Sequence, residues 1–215
     1  MELVFTIFEI IGTVAFAMSG VIEAVKHRMD LFGVVIMGLV TAVGGGMIRD
    51  LVIGTVPPVA FVKPVFALIA LTVSLVMFLI LYFWLAKRTD NKELPLEKWL
   101  LFATDTIGLG AFTVLGIATA LAKNMNGFAL LLFVGFITGT GGGILRDVFC
   151  GTIPSIFRKH IYALASIFGA VLMILFDRWI PTEIAMIIGF VGVVIIRVLA
   201  SVFRWDLPVV GAKNP

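Results

Sequence analysis

Seven apolar runs, most of them near the length that crosses a bilayer, constrain this chain more than any other feature of its sequence. A helix needs roughly 20 apolar residues to span a hydrocarbon core of ~30 Å. The runs are Leu3–Val21, Leu31–Val56, Val59–Leu85, Leu100–Leu121, Phe128–Ile153, Ile161–Phe176 and Ile184–Phe203. Short polar breaks separate them at Glu23 to Asp30, Lys87 to Lys98, Lys123 to Asn126 and Asp177 to Glu183. The expected fold class is therefore all-α, a polytopic membrane protein with seven transmembrane helices. Composition agrees: 13% of residues are charged, against about 25% in a soluble domain. That is too little polar surface to cover a globule in water.

An odd number of spans puts the termini on opposite sides, and the positive-inside rule orients them. One side collects Lys26, Arg28, Lys87, Arg88, Lys92, Lys98, Arg158, Lys159, Arg204 and Lys213, and the other only Lys63, Lys123 and Arg178. The first group is expected in the cytoplasm, with the N-terminus outside. Arg49, Arg146 and Arg197 fall within spans and do not vote. Met1 and Glu2 precede the first run without a basic segment, so no cleaved secretory signal is expected. The single cysteine, Cys150, excludes an internal disulfide and has no partners at metal-ligand spacing.

The chain also repeats itself. From Gly44 it reads GGGMIRDLVIGTVP, and from Gly141 it reads GGGILRDVFCGTIP, with eight of fourteen positions identical. Gly38 and Thr41 match Gly135 and Thr138 upstream. Glu9, Gly12, Phe16 and Gly20 match Asp105, Gly108, Phe112 and Gly116 with a one-residue gap, and Lys63 matches Lys159. Each repeat covers three helices, an odd number, so the second copy is expected to cross in the opposite sense. Inverted repeats of this kind commonly place a transport site near their pseudo-two-fold axis. The expected division is 1–90 for the first repeat, 91–180 for the second, and 181–215 for a seventh helix and tail.

Three consecutive glycines at Gly44–Gly46 and Gly141–Gly143 predict a break or kink in each middle helix, since Gly costs about 1 kcal/mol relative to Ala in a helix interior. Carbonyls freed there would carry the negative end of a helix dipole and form a weak cation site. The competing reading is that the glycines only let helices pack closely. Arg49–Asp50 and Arg146–Asp147 follow the triplets, and charges in a span usually face a cavity or each other. They either line the pathway or clamp the structure, and physics alone leaves the sign of the permeant ion open.

Glu9 and Asp105 either attract cations to two mouths or cap and pair near the interface. Thr41 and Thr138 offer hydroxyls to an ion or to a nearby carbonyl, and Thr55 and Thr152 end their helices before the prolines. Arg197 reads as a snorkelling side chain, and Lys63 and Lys159 as interface anchors. His27 and His160 are isolated, and no phosphate-binding loop is present, so neither catalysis nor ATP-driven pumping is expected.

Paired GGG-x-x-RD-x-x-x-GT-x-P blocks, with a seventh helix carrying Arg197-Val198-Leu199-Ala200 and then Trp205-Asp206-Leu207-Pro208, resemble the bacterial branch of the trimeric intracellular cation channels over nearly the whole chain. The resemblance implies a homotrimer with one pore inside each protomer, passing potassium and, less selectively, sodium. It implies kinked second and fifth helices with the gate near Gly44–Gly46 and Gly141–Gly143, and no cofactor is expected beyond the permeant ions. Expected partners are membrane lipid and monovalent cations, with no nucleic acid, in the inner membrane of a bacterium. The lysine-glutamate-valine motif of animal members is absent here. Some bacterial relatives resemble glycine transporters, which makes a small-solute carrier the alternative function.

Overall fold

The computed structural model describes residues 2–85, 95–158 and 161–205. Lys87, Arg88, Lys92, Lys159, His160, Lys213 and the Asp206–Pro208 segment lie outside the described residues. The described chain is helical throughout: α1 (Glu2–Lys26), α2 (Leu31–Val52), α3 (Val59–Val62), α4 (Val65–Leu85), α5 (Pro95–Ala122), α6 (Phe128–Phe149), α7 (Ser155–Arg158), α8 (Ile161–Phe176) and α9 (Thr182–Val202). Six of these are long and apolar enough to cross a membrane, and α8 is a shorter apolar helix.

This is an all-helical polytopic membrane fold. Large apolar side chains stay exposed along α4, among them Leu68, Ile80 and Phe83. A soluble protein rarely shows such a face, whereas lipid chains cover it without cost. Helices suit this setting because every backbone polar group is satisfied within the segment.

The expected break at each glycine triplet does not occur. α2 runs through Gly44–Gly46 and α6 through Gly141–Gly143 without interruption, so the carbonyl site expected there does not form. The glycines serve close packing between α2 and α6 instead. A Cβ at Gly45 would stand 2.3 Å from the Thr138 carbonyl oxygen, and one at Gly142 would stand 2.1 Å from the Thr41 carbonyl oxygen. These contacts are reciprocal: each triplet's middle glycine receives the backbone beside the other half's threonine. Thr41 and Thr138 turn their hydroxyls inward, donating to the Met37 and Val134 carbonyls at 2.6 Å each.

The run expected over Leu31–Val56 stops at Val52, and that over Phe128–Ile153 stops at Phe149. Gly54 and Gly151 explain where: both have positive φ, at 69° and 67°, a region that glycine occupies without a Cβ penalty. Thr55 N–H then bonds the Asp50 carbonyl at 2.7 Å and Gly54 N–H bonds that of Leu51 at 3.2 Å. Thr152 to Asp147 and Gly151 to Val148 repeat the pattern, each at 2.9 Å. This is the Schellman cap, which satisfies the last carbonyls of a helix. The GT pair of the repeated block is thus a helix stop. The third run divides at Lys63 and Pro64 into α3 and α4.

Candidate functional site: two related charge clusters

After each cap the chain turns back into a short helix, and the aspartate of the Arg-Asp pair holds it there. Asp50 accepts from Arg49 Nε at 2.9 Å through Oδ1 and from Val59 N–H at 2.8 Å through Oδ2. Asp147 accepts from Arg146 Nε at 2.9 Å and from Ser155 N–H at 2.6 Å in the same way. Both Arg-Asp pairs are buried. They act as clamps whose partners are the next short helix and the adjacent residue.

Beyond that shared clamp the two clusters differ. In the first, Glu9, Thr13, Gly46, Arg49, Asp50 and Lys63 border a small cavity of about 40 Å³, and Ala42, Phe66 and Phe112 contribute its apolar walls. Glu9 is partly buried, and its carboxylate makes no hydrogen bond or ion pair among the described residues. Arg49 is committed to Asp50 at 2.8 Å, and Lys63 is exposed. A Cβ at Gly46 would meet only Arg49 Nη2, at 3.8 Å, so the third glycine of this triplet lines the cavity without being crowded.

In the second cluster the corresponding space is filled. Asp105 is 5% exposed. Its Oδ1 accepts from Arg146 Nη1 at 2.7 Å, and its Oδ2 accepts from Arg197 Nη2 at 3.1 Å. Arg197 Nε also donates to Thr106 Oγ1 at 3.3 Å, and its guanidinium lies 4.7 Å from the Tyr162 ring and 4.9 Å from the Phe102 ring. Arg146 donates to Ser19 Oγ of α1 as well. A Cβ at Gly143 would stand 2.8 Å from the Tyr162 hydroxyl oxygen. Tyr162 therefore occupies on this side what Phe66 leaves open on the other.

The structure brings Glu9, Gly46, Arg49 and Asp50 to one site, and Asp105, Arg146 and Asp147 to another. It leaves Thr41, Gly45, Thr138 and Gly142 at the helix crossing, with Gly44 against Leu145 and Gly141 against Gly45 and Ile48. Arg197 corrects the snorkelling reading, for it is 5% exposed and ion-paired. Tyr162 and Ser19 were not singled out by the sequence. A lone arginine in the last third of an apolar helix was the available signal, since a buried cation requires a partner. Lys63 borders the cavity; Lys123 donates to Thr55 Oγ1, which ties the end of α5 to the cap that follows α2.

Comparison with known proteins gives a consistent picture. The family model described as Glycine transporter matches twice, over residues 6–82 and 102–178. The chain is 39% identical to the UPF0126 inner membrane protein YadS of Escherichia coli (strain K12) over 201 residues, covering 93% of this chain and 91% of that protein. Among solved structures, a TRIC cation channel is 35% identical with a TM-score of 0.81, covering 98% of this chain and 99% of that one. The trimeric intracellular cation channel orthologue from Rhodobacter sphaeroides is 32% identical with a TM-score of 0.82, covering 94% and 99%.

Proposed function

We propose that this chain, which belongs to the Glycine transporter family and shares the fold of the TRIC cation channels, is a channel for monovalent cations with a pathway inside each protomer. The observation that carries this reading is the cavity beside Glu9. Its arginine is neutralised by the adjacent aspartate and its lysine is exposed to solvent, which leaves Glu9 as the carboxylate on its lining without an ion-pair partner among the described residues. A carboxylate without an ion-pair partner in a low-dielectric wall attracts cations and repels anions. With no ring of released carbonyls, the site lacks the dense oxygen cage that separates potassium strongly from sodium. Potassium passage with weaker selection against sodium follows.

The layout that supports this reading is two inverted three-helix repeats, 1–90 and 91–180, with α9 in 181–215 as a seventh helix. Its support is the family model's double match together with the duplicated cap and clamp. On this reading the Glu9 cavity opens outside the cell and the Asp105 cluster faces the cytoplasm. The assembly is a homotrimer in a bacterial inner membrane, as the names of the Rhodobacter and Escherichia relatives suggest by analogy.

A carrier of a small zwitterion such as glycine is the second reading, because Glu9 and Lys63 present opposite charges to one cavity. Purified protein in planar bilayers and proteoliposomes separates the two. Unitary currents reversing at the potassium equilibrium potential are expected. Saturable, gradient-coupled glycine uptake without such currents would replace the channel with the carrier.

A further inference from the structure

Between the two charge clusters lies an aromatic pair that takes no part in the ion pairs of either. Phe16 and Phe112 occupy matched positions in the repeats, and their rings meet with centroids 5.3 Å apart at 44°. Phe16 is 0% exposed and Phe112 6%. Each ring rests in a notch cut by glycine. A Cβ at Gly12 would stand 3.1 Å from the Phe112 ring, one at Gly108 would stand 2.1 Å from the Phe16 ring, and one at Gly142 would stand 3.1 Å from it. Glycine at all three positions keeps room for the rings.

The rings also stand at a level between the two clusters along α1 and α5. Along α1, Glu9 and Thr13 border the cavity while Ser19 reaches Arg146, and Phe16 falls between them. Along α5, Asp105 and Thr106 belong to the second cluster, and Phe112, seven residues on, forms a wall of the cavity. At 1.5 Å per residue that is roughly 10 Å of helix.

We propose that the Phe16–Phe112 pair is a hydrophobic gate, a dry contact that closes the pathway between the Glu9 cavity and the Asp105 cluster and must part for ions to pass. The proposal rests on the reading of the Glu9 cavity as the mouth of that pathway. An apolar constriction of this kind excludes water and so blocks ions without any charge of its own. Two rings related by the repeat share the closure, and either ring alone still obstructs the passage, so it opens fully only when both are gone or move aside.

The test uses the full-length protein in lipid vesicles, with Cys150→Ser as background and Phe16→Cys as reporter. The probe is a small cationic methanethiosulfonate reagent added from the Glu9 side. With Phe112 in place, labelling of the reporter is slow. Phe112→Ala is expected to raise the rate at least roughly tenfold, as expected for loss of an apolar constriction, and Phe112→Leu to give an intermediate rate. Should the alanine variant fail to assemble, the leucine variant decides the matter alone. Fast labelling with Phe112 intact, or no rise in the assembled variants, overturns the gate. Potassium efflux from the same vesicles separates the two readings: faster labelling without efflux leaves the ring barrier standing and removes the channel.

Discussion

Around Glu9 the side chains of one half leave a cavity, whereas around Asp105 the related side chains of the other half close on one another. Both halves carry the same clamp, cap and glycine triplet, so these cannot account for the difference. It comes from residues outside the shared block. Tyr162 brings a hydroxyl to within 3.5 Å of Asp105, Ser19 reaches Arg146, and Arg197 arrives from α9, a helix for which the repeat has no counterpart. The duplicated block builds a scaffold, and unduplicated side chains decide which end of it is open.

The sharpest way to break this comparison is to remove one carboxylate from each cluster. Asp105→Asn leaves Arg146 and Arg197 sharing a neutral partner. Breaking a buried ion pair from one side costs about 3–5 kcal/mol, so a large fall in melting temperature or loss of assembly is expected. Glu9→Gln breaks no pair and is expected to leave melting unchanged. Equal shifts in thermal melts of the purified proteins would mean that the two clusters do not differ as described.

Arg197→Gln comes next. Asp105 keeps Arg146, so the loss is a charged hydrogen bond worth about 1.5–3 kcal/mol, smaller than that of Asp105→Asn. A surface-seeking arginine would give no measurable change in the same melts.

The glycine triplets sharpen the contrast further. Gly45→Ala and Gly142→Ala each drive a Cβ into backbone, and overpacking typically costs about 1–3 kcal/mol. Gly46→Ala, whose Cβ would make only an ordinary contact at 3.8 Å with Arg49 Nη2, is expected to be silent. A flexible break at the triplets would tolerate all three alike.

The smallest effect is chemical. Cys150 stands where the first half has Ile53. Burial, with the Glu23 carboxylate adding to it, pushes its thiol up to about 11. Thiolate is the reactive form, so a raised value means less of it at neutral pH. Maleimide labelling is expected to climb about tenfold per pH unit beyond the range where an ordinary thiol levels off. A plateau near pH 8.5, the usual thiol value, would contradict this.

Much of this architecture was legible in the residues. The apolar runs gave the long helices, and the duplicated block located both clusters because matched charges in apolar segments need matched surroundings. The glycine triplets misled. Helix propensity measures a cost of about 1 kcal/mol per glycine in water, but a broken helix in hydrocarbon strands backbone groups worth several kcal/mol each. Three glycines cannot outweigh that unless water or protein replaces the lost bonds. Tight crossing at Gly45 and Gly142 gains contact without losing any bond. The role of Arg197 was hidden for a different reason: its partner Asp105 lies 92 positions away, and nothing local distinguishes a paired arginine from one that reaches for the headgroups.

Unitary potassium conductance at low ionic strength, compared between the wild type, Glu9→Gln and Glu9→Lys, tests the central claim most directly. Conductance is expected to fall in that order while assembly and melting stay the same, because the carboxylate concentrates cations at the cavity. Identical conductance in all three would contradict the account and remove Glu9 from the pathway.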